Sequence, residues 1–218
     1  METTMIRYLS QILAAAISLL TIVMLNFGCS SSDNGTAPDY DVAANLGKGW
    51  ASFSTSAYDS AVTTFTDVLS HSANNAEALL GRGWCYAFKN QYDSSMSDLN
   101  AASTGSTMND AKMGLAAVYR DFPDLNAAIT YASAVIAADS HYVFSKRTSI
   151  DYKDAHLIKA QCYFRLGKDS FPQAHVEINY LCAIEGIAGL PEPGTVSGAE
   201  YERQLGLKLE ELSARIAE

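Results

Sequence analysis

Four cysteines and four histidines are the side chains of this 218-residue sequence best suited to nucleophilic, redox or metal chemistry. Their spacing supports none of these. His71, His141, His156 and His175 share no ligand pattern; His175-Val-Glu177 lacks the one-turn separation that would bring two ligands together on a helix. The chain has no Cys-x-x-Cys pair, no phosphate-cradling glycine loop and no strand-to-helix serine elbow. The carboxylate pair Glu210-Glu211 reads as a solvated helix face. Cys162 and Cys182 fall on the two helices of one hairpin, about seven and about thirteen residues from its turn, an offset of ~9 Å along a helix. That is a poor geometry for a disulfide, so both are expected as buried free thiols, as is Cys85. The sequence thus predicts no enzyme, no bound metal and no cofactor.

Cys29 is the exception, because of what surrounds it. From Tyr8 to Phe27 the chain is almost wholly apolar, Arg7 is the one basic side chain before it, and no charge follows until Asp33. A short basic end followed by such a run reads as an export signal; about 20 apolar residues also suffice for a retained membrane helix. Phe27-Gly28-Cys29-Ser30-Ser31-Ser32 then places a small residue, a cysteine and a polar tether directly after the run. This resembles the lipobox of bacterial lipoproteins. The resemblance implies a signal peptide over residues 1–28, acylation of Cys29, and a lipid anchor on the extracytoplasmic side of a bacterial envelope. Ser30 after the cysteine leans toward the outer membrane in a diderm cell. Residues 29–40, poor in apolar side chains and rich in turn formers, make a flexible tether.

Beyond the tether the composition allows a folded core: hydrophobic residues are 48% of the chain and charged residues 18%. A net charge of −9, with no basic run longer than Lys146-Arg147, argues against a nucleic-acid partner. Apolar residues recur at helical spacing, predicting helices at 41–53, 57–71, 76–89, 92–102, 109–120, 125–138, 153–166, 172–185 and 199–217. Asn75 and Asn109 are the expected N-caps of two of them.

Those helices repeat. Trp50 and Trp84 are 34 residues apart, and Gly49/Gly83, Tyr58/Tyr92 and Asp59/Asp93 keep the same offset. A small residue precedes Tyr by three in Gly83…Tyr86, Ala116…Tyr119 and Ala160…Tyr163. Small residues also recur 12 positions apart, in Gly49/Ala61, Gly83/Ser95 and Ala116/Ala128. Antiparallel helices approach closely only where both lack bulk, so such pairs mark their crossings. Phe65, Leu99 and Ile178, each four residues beyond the second small residue, are placed to fill the groove. On these residues the chain resembles the tetratricopeptide repeat family.

The resemblance implies an all-α fold: a right-handed solenoid of about four hairpins within 41–185, at about 41–72, 76–103, 109–139 and 153–185. Ala116 to Ala160 is 44 residues, ten more than the period, and the surplus His141–Ile150 makes an inserted loop over 140–152. It is either a surface loop pinned by Tyr142 and Phe144 or a ligand-contacting segment. Residues 186–198, with Leu190-Pro-Glu-Pro-Gly194, form a linker. Tyr201, Leu205, Leu209, Leu212 and Ile216 then give 199–218 the apolar stripe of a capping helix.

In that family the first helix of each repeat lines a concave groove that takes a protein or peptide. Carried over by matched repeats, the groove comprises Trp50, Phe53, Glu77, Trp84, Phe88, Asp110, Met113, Arg120, Leu157, Gln161, Phe164 and Arg165. The two tryptophans serve equally well as partner contacts or as packing between repeats. The implied function is a non-catalytic, membrane-anchored lipoprotein holding a protein or peptide in an envelope assembly, its oligomeric state open. The alternative is a solute- or glycan-binding lipoprotein serving a transporter, which requires a deep aromatic pocket near 141–153 in place of an open groove.

Overall fold

A computed structural model describes residues 40–122 and 124–216. The expected signal segment, Cys29 and the tether up to residue 39 lie outside the described residues. Within them the chain is all-helical: α1 (Val42–Ser54), α2 (Tyr58–His71), α3 (Ala76–Phe88), α4 (Tyr92–Ala102), α5 (Met108–Asp121), α6 (Leu125–Ala138), α7 (Tyr152–Leu166), α8 (Phe171–Glu185) and α9 (Gly198–Ile216). Short 3-10 turns at Gly105–Thr107 and Lys168–Ser170 lead into α5 and α8. None of these helices is long and apolar enough to cross a membrane.

The helix ends follow from local chemistry. Asp41, Asn75 and Asp124 each accept a hydrogen bond from a backbone N–H of the first turn that follows. Asp151 and Asp154 form a reciprocal capping box at the start of α7. Asn109 does not cap. The chain reaches α5 already helical through Gly105–Thr107, so Asn109 lies inside the first turn, and Thr107 precedes the helix with no side-chain cap bond. Ser56 and Asn90 hold left-handed φ of 60° and 57° in corresponding turns of the first two hairpins. In the fourth, the 3-10 turn takes up the two extra residues.

Successive helices pair as antiparallel hairpins, α1 with α2 through α7 with α8, and each hairpin packs on the next. The odd helices also touch one another in order, so α1, α3, α5 and α7 line one face and the even helices the other. The small residues sit where helices cross: Ala61, Ser95, Ala116, Ala128, Ala160 and Ala174 are fully buried. Leu99 lies so close to Gly83 and Gly114 that a Cβ on either would come within 2.8 Å of its side chain. Phe65 occupies the same role against Gly49 and Gly81. One large side chain thus spans two glycines from successive hairpins, which sets the spacing of the stack.

At the C-terminal end α9 lays Tyr201, Leu205, Leu209, Leu212 and Ile216 against Ala174, Ile178 and Leu181 of α8 and Leu157 of α7. Leu190, in the segment before α9, is buried in the same cluster; its N–H donates to Asn179 Oδ1 at 2.7 Å. Asn179 Nδ2 in turn meets His175 Nε2 at 2.9 Å, and His175 Nδ1 meets the Tyr201 hydroxyl at 2.9 Å. A polar chain therefore ties segment, helix and cap together.

Candidate functional site

The residues expected in the groove all lie on the odd helices α1, α3, α5 and α7, and they divide into groups by burial. Trp50, Phe53, Trp84, Met113 and Leu157 are buried, while Glu77, Asp110, Arg120, Gln161 and Phe164 are half-buried and Phe88 and Arg165 exposed. Leu157 is buried beneath α9, but Trp50, Phe53 and Trp84 are covered for a reason that periodicity does not reveal: the inserted loop returns across their part of the face.

Leaving α6, the chain reverses direction. Val143 pairs with Asp151 in an isolated antiparallel bridge, Phe144 N–H donates to Ile150 C=O at 2.9 Å, and Tyr152 N–H donates to Tyr142 C=O at 2.8 Å. The closed loop turns Phe144, Lys146 and Arg147 toward the first two hairpins and Tyr142 toward the third. Phe144 is fully buried, stacked on Trp84 with centroids 5.0 Å apart and edge-on to Trp50 and Phe53 at 6.2 Å each. Tyr142 donates its hydroxyl to Asp110 Oδ1 at 2.8 Å; burial and that carboxylate push the phenol's pKa up. Burial also raises the Asp110 carboxyl, against the opposing effects of Tyr142 and Lys146.

Two cations complete the fit. Lys146 Nζ lies 4.9 Å from the Trp50 ring centroid and 2.8 Å from Glu77 Oε1, the same oxygen that accepts from Trp50 Nε1 at 2.9 Å. The Arg147 guanidinium lies 4.5 Å from the Phe88 ring centroid and 4.8 Å from that of Phe53. Its Nη2 donates to Phe53 C=O at 3.2 Å. Tyr58 stacks on Phe88 with planes 3° apart, extending the aromatic wall. A guanidinium held against aromatic faces and a backbone carbonyl is a bound geometry, more than a solvated one. Tyr58, Lys146 and Arg147 were not among the expected groove residues. The sequence signal for Tyr58 was its repeat with Tyr92, and for Lys146 and Arg147 that the one basic pair in the chain falls inside the ten-residue surplus.

The other half of the face is open. Arg120, Asp121, Gln161, Phe164, Arg165 and Leu209 line a depression of about 450 Å³ between α5, α7 and α9. Arg120 is held in a two-point pair with Asp121, at 2.8 and 2.9 Å, and its other Nη reaches Gln161 Oε1 at 3.5 Å. Arg165 donates to the Arg120 backbone carbonyl. A smaller depression of about 190 Å³, lined by Phe88, Tyr92, Val118 and Arg120 among others, adjoins it. Polar and aromatic groups share these walls.

Elsewhere, buried polar groups are structural. Asp98 takes two hydrogen bonds from Arg82 at 2.6 and 2.9 Å. Glu177 accepts from His156 at 2.6 Å and Lys159 at 2.5 Å. Burial raises its carboxyl, but these two partners outweigh that and hold it below its ordinary value. Cys85, Cys162 and Cys182 are free and buried, and burial pushes Cys85 up to about 12 and Cys162 to about 11. Thiols so protonated are poor nucleophiles. Among the described residues no three His, Cys, Asp or Glu side chains gather as a metal site would require.

No family model matches the chain, and no curated protein matches it. Among solved structures it is similar to MamA MSR-1 C2, a protein containing tetratricopeptide repeats, with a TM-score of 0.50 at 15% identity over 82% of this chain and 80% of that one. The likeness is one of fold: a tetratricopeptide-like helical solenoid.

Proposed function

We propose that this chain is a non-catalytic, lipid-anchored scaffold that holds a protein or peptide partner on its concave face, in an assembly of the bacterial cell envelope. The observation that carries the reading is the division of that face. One half is filled by a segment of the chain's own backbone, held by aromatic, cationic and hydrogen-bonded contacts. The other half offers the same kinds of group, unfilled, around Arg120, Gln161, Phe164 and Leu209. A surface that already accommodates a folded-back segment of chain, turned at Phe144–Arg147, has the chemistry to take a peptide. Tyr142 and Phe144 of the inserted loop are buried in the groove and fill it, which favours this reading over a solute- or glycan-binding one. Anchoring rests on the sequence alone, through the apolar run and Cys29; the outer membrane is the proposed site in a diderm cell.

The test has two arms. A photo-crosslinking side chain at Gln161, in cells, is expected to give a discrete adduct that the same group at Thr130, exposed on α6 of the outer layer, does not. Equal labelling from both positions refutes groove binding. Intact mass of the membrane-extracted protein is expected to show a chain beginning at an acylated Cys29, absent in Cys29→Ala. A full-length or unacylated mass refutes the lipoprotein.

A further inference from the structure

The contacts of the inserted loop have the character of a ligand in a site. Phe144 enters an aromatic slot between Trp50 and Trp84, Lys146 engages Glu77, and Arg147 lies against Phe53 and Phe88. These are one aromatic anchor and two cations, read in register by groups on α1 and α3. The loop reaches them across 69 residues of chain at Lys146 and 94 at Arg147. A segment kept only to join α6 to α7 has no need to travel back to the first hairpin. The carboxylates on this face and the formal charge of −9 favour a basic segment over an acidic one.

The anchoring contacts differ in strength along the loop. Phe144 is fully buried, but the Lys146–Glu77 pair keeps 33% and 40% of its side-chain surface exposed, and Ser145, Thr148 and Ser149 are exposed. Pairs that wet contribute little, so Phe144 and Arg147 carry most of the hold and the Lys146 contact is the first that a competing segment can take.

We infer that the concave face of α1 and α3 is a recognition site for short segments of aromatic–x–basic–basic chemistry, with Phe144-Ser-Lys-Arg147 as its resident internal ligand. A partner segment of the same chemistry takes the loop's place. The resident segment competes at the high effective concentration of a tethered ligand, so the site favours partners that also grip the open depression beside it. This rests on the reading of the concave face as protein-binding.

The full chain reports on its own site, because its two tryptophans both line it. In Phe144→Ala/Lys146→Ala/Arg147→Ala, tryptophan emission is expected to move to the red. Titration with the peptide Tyr142–Ile150 is expected to reverse that shift saturably, whereas a peptide with alanine at 144, 146 and 147 has no effect. Adding Glu77→Gln is expected to weaken the peptide at least tenfold. A helical variant with no saturable response overturns the inference. Where the variant loses its helices, hydrogen exchange in the unaltered chain decides. The Phe144, Ile150 and Tyr152 amides are expected to exchange at least a hundredfold faster than the core amides of α3. Equal rates mean a permanent clasp and overturn the inference. Either failure leaves crosslinking at Gln161 untouched, so it is distinguishable from failure of the scaffold reading.

Discussion

Lys146 and Trp50 donate to one carboxylate oxygen of Glu77, at 2.8 and 2.9 Å. The first hairpin, the second and the inserted loop therefore meet at a single acceptor. Glu77→Ala leaves the indole N–H of a buried tryptophan without its partner and releases the ammonium. The expected cost is about 1–3 kcal/mol, measured by urea unfolding. Glu77→Gln should lose less, since its amide oxygen still accepts from the indole.

Gly81 and Gly47 offer a matched pair of opposite sign. A Cβ at Gly81 meets the ring of Phe65, which is fully buried and cannot swing away. Gly81→Ala should destabilise by about 1–3 kcal/mol. Nothing lies within 4 Å of a Cβ at Gly47, which is exposed within α1. Gly47→Ala should stabilise by about 0.5–1 kcal/mol through helix propensity alone. Thermal melts of the two variants check both signs.

The helices were legible because periodicity, caps and turn residues agree, and their ends fall within one or two residues of expectation. The crossings were legible for the same reason: Ala61, Ser95 and Ala128 had to be small before any neighbour was known. What the sequence hid was direction. The surplus over 141–150 announces an extra loop, but its hydrophobicity does not say over which edge it folds. Trp50 and Trp84 were equally consistent with packing and with partner contact. In the structure they pack, between hairpins and against Phe144 of the inserted loop. Long-range polar pairs such as Arg82–Asp98 carry no periodic signature either, and they went unseen.

Asp98 is buried and takes both of its strong hydrogen bonds from Arg82. Asp98→Ala leaves that guanidinium uncompensated and should cost about 3–5 kcal/mol. Replacing both partners with apolar residues of similar size should recover much of the loss. A double-mutant cycle in urea measures the difference; additive single losses would contradict the coupling.

Burial raises the Asp154 carboxyl from 3.8 to about 6. The folded chain therefore holds this proton more tightly than the unfolded chain. Its charged form disfavours folding above about pH 6, and that penalty fades as pH falls toward 4. From this group, stability at pH 5 should exceed that at pH 7 by about 1–2 kcal/mol. Glu177, held below its ordinary value, acts in the opposite direction only at lower pH. Asp154→Asn keeps an oxygen for the Asp151 N–H and should flatten the profile between pH 5 and 7. A Tm series over that range reads the change.

Cys85 and Cys162 should resist iodoacetamide at pH 8 in the native chain and react fully in urea, because burial keeps both protonated. Mass spectrometry of the alkylated protein counts the modified thiols. Rapid native labelling of either would contradict their burial.

The loop over 140–151 also changes how the array must come apart. In an ordinary repeat stack each unit contacts only its neighbours, so the ends fray first and the middle survives alone. Here Arg147 donates to the backbone of Phe53, joining the first hairpin to the segment that leads into the fourth. Terminal fraying then breaks contacts deep in the chain, and nearest-neighbour additivity fails. Unfolding should be a single cooperative transition, with a folding nucleus that waits for a distant loop to close.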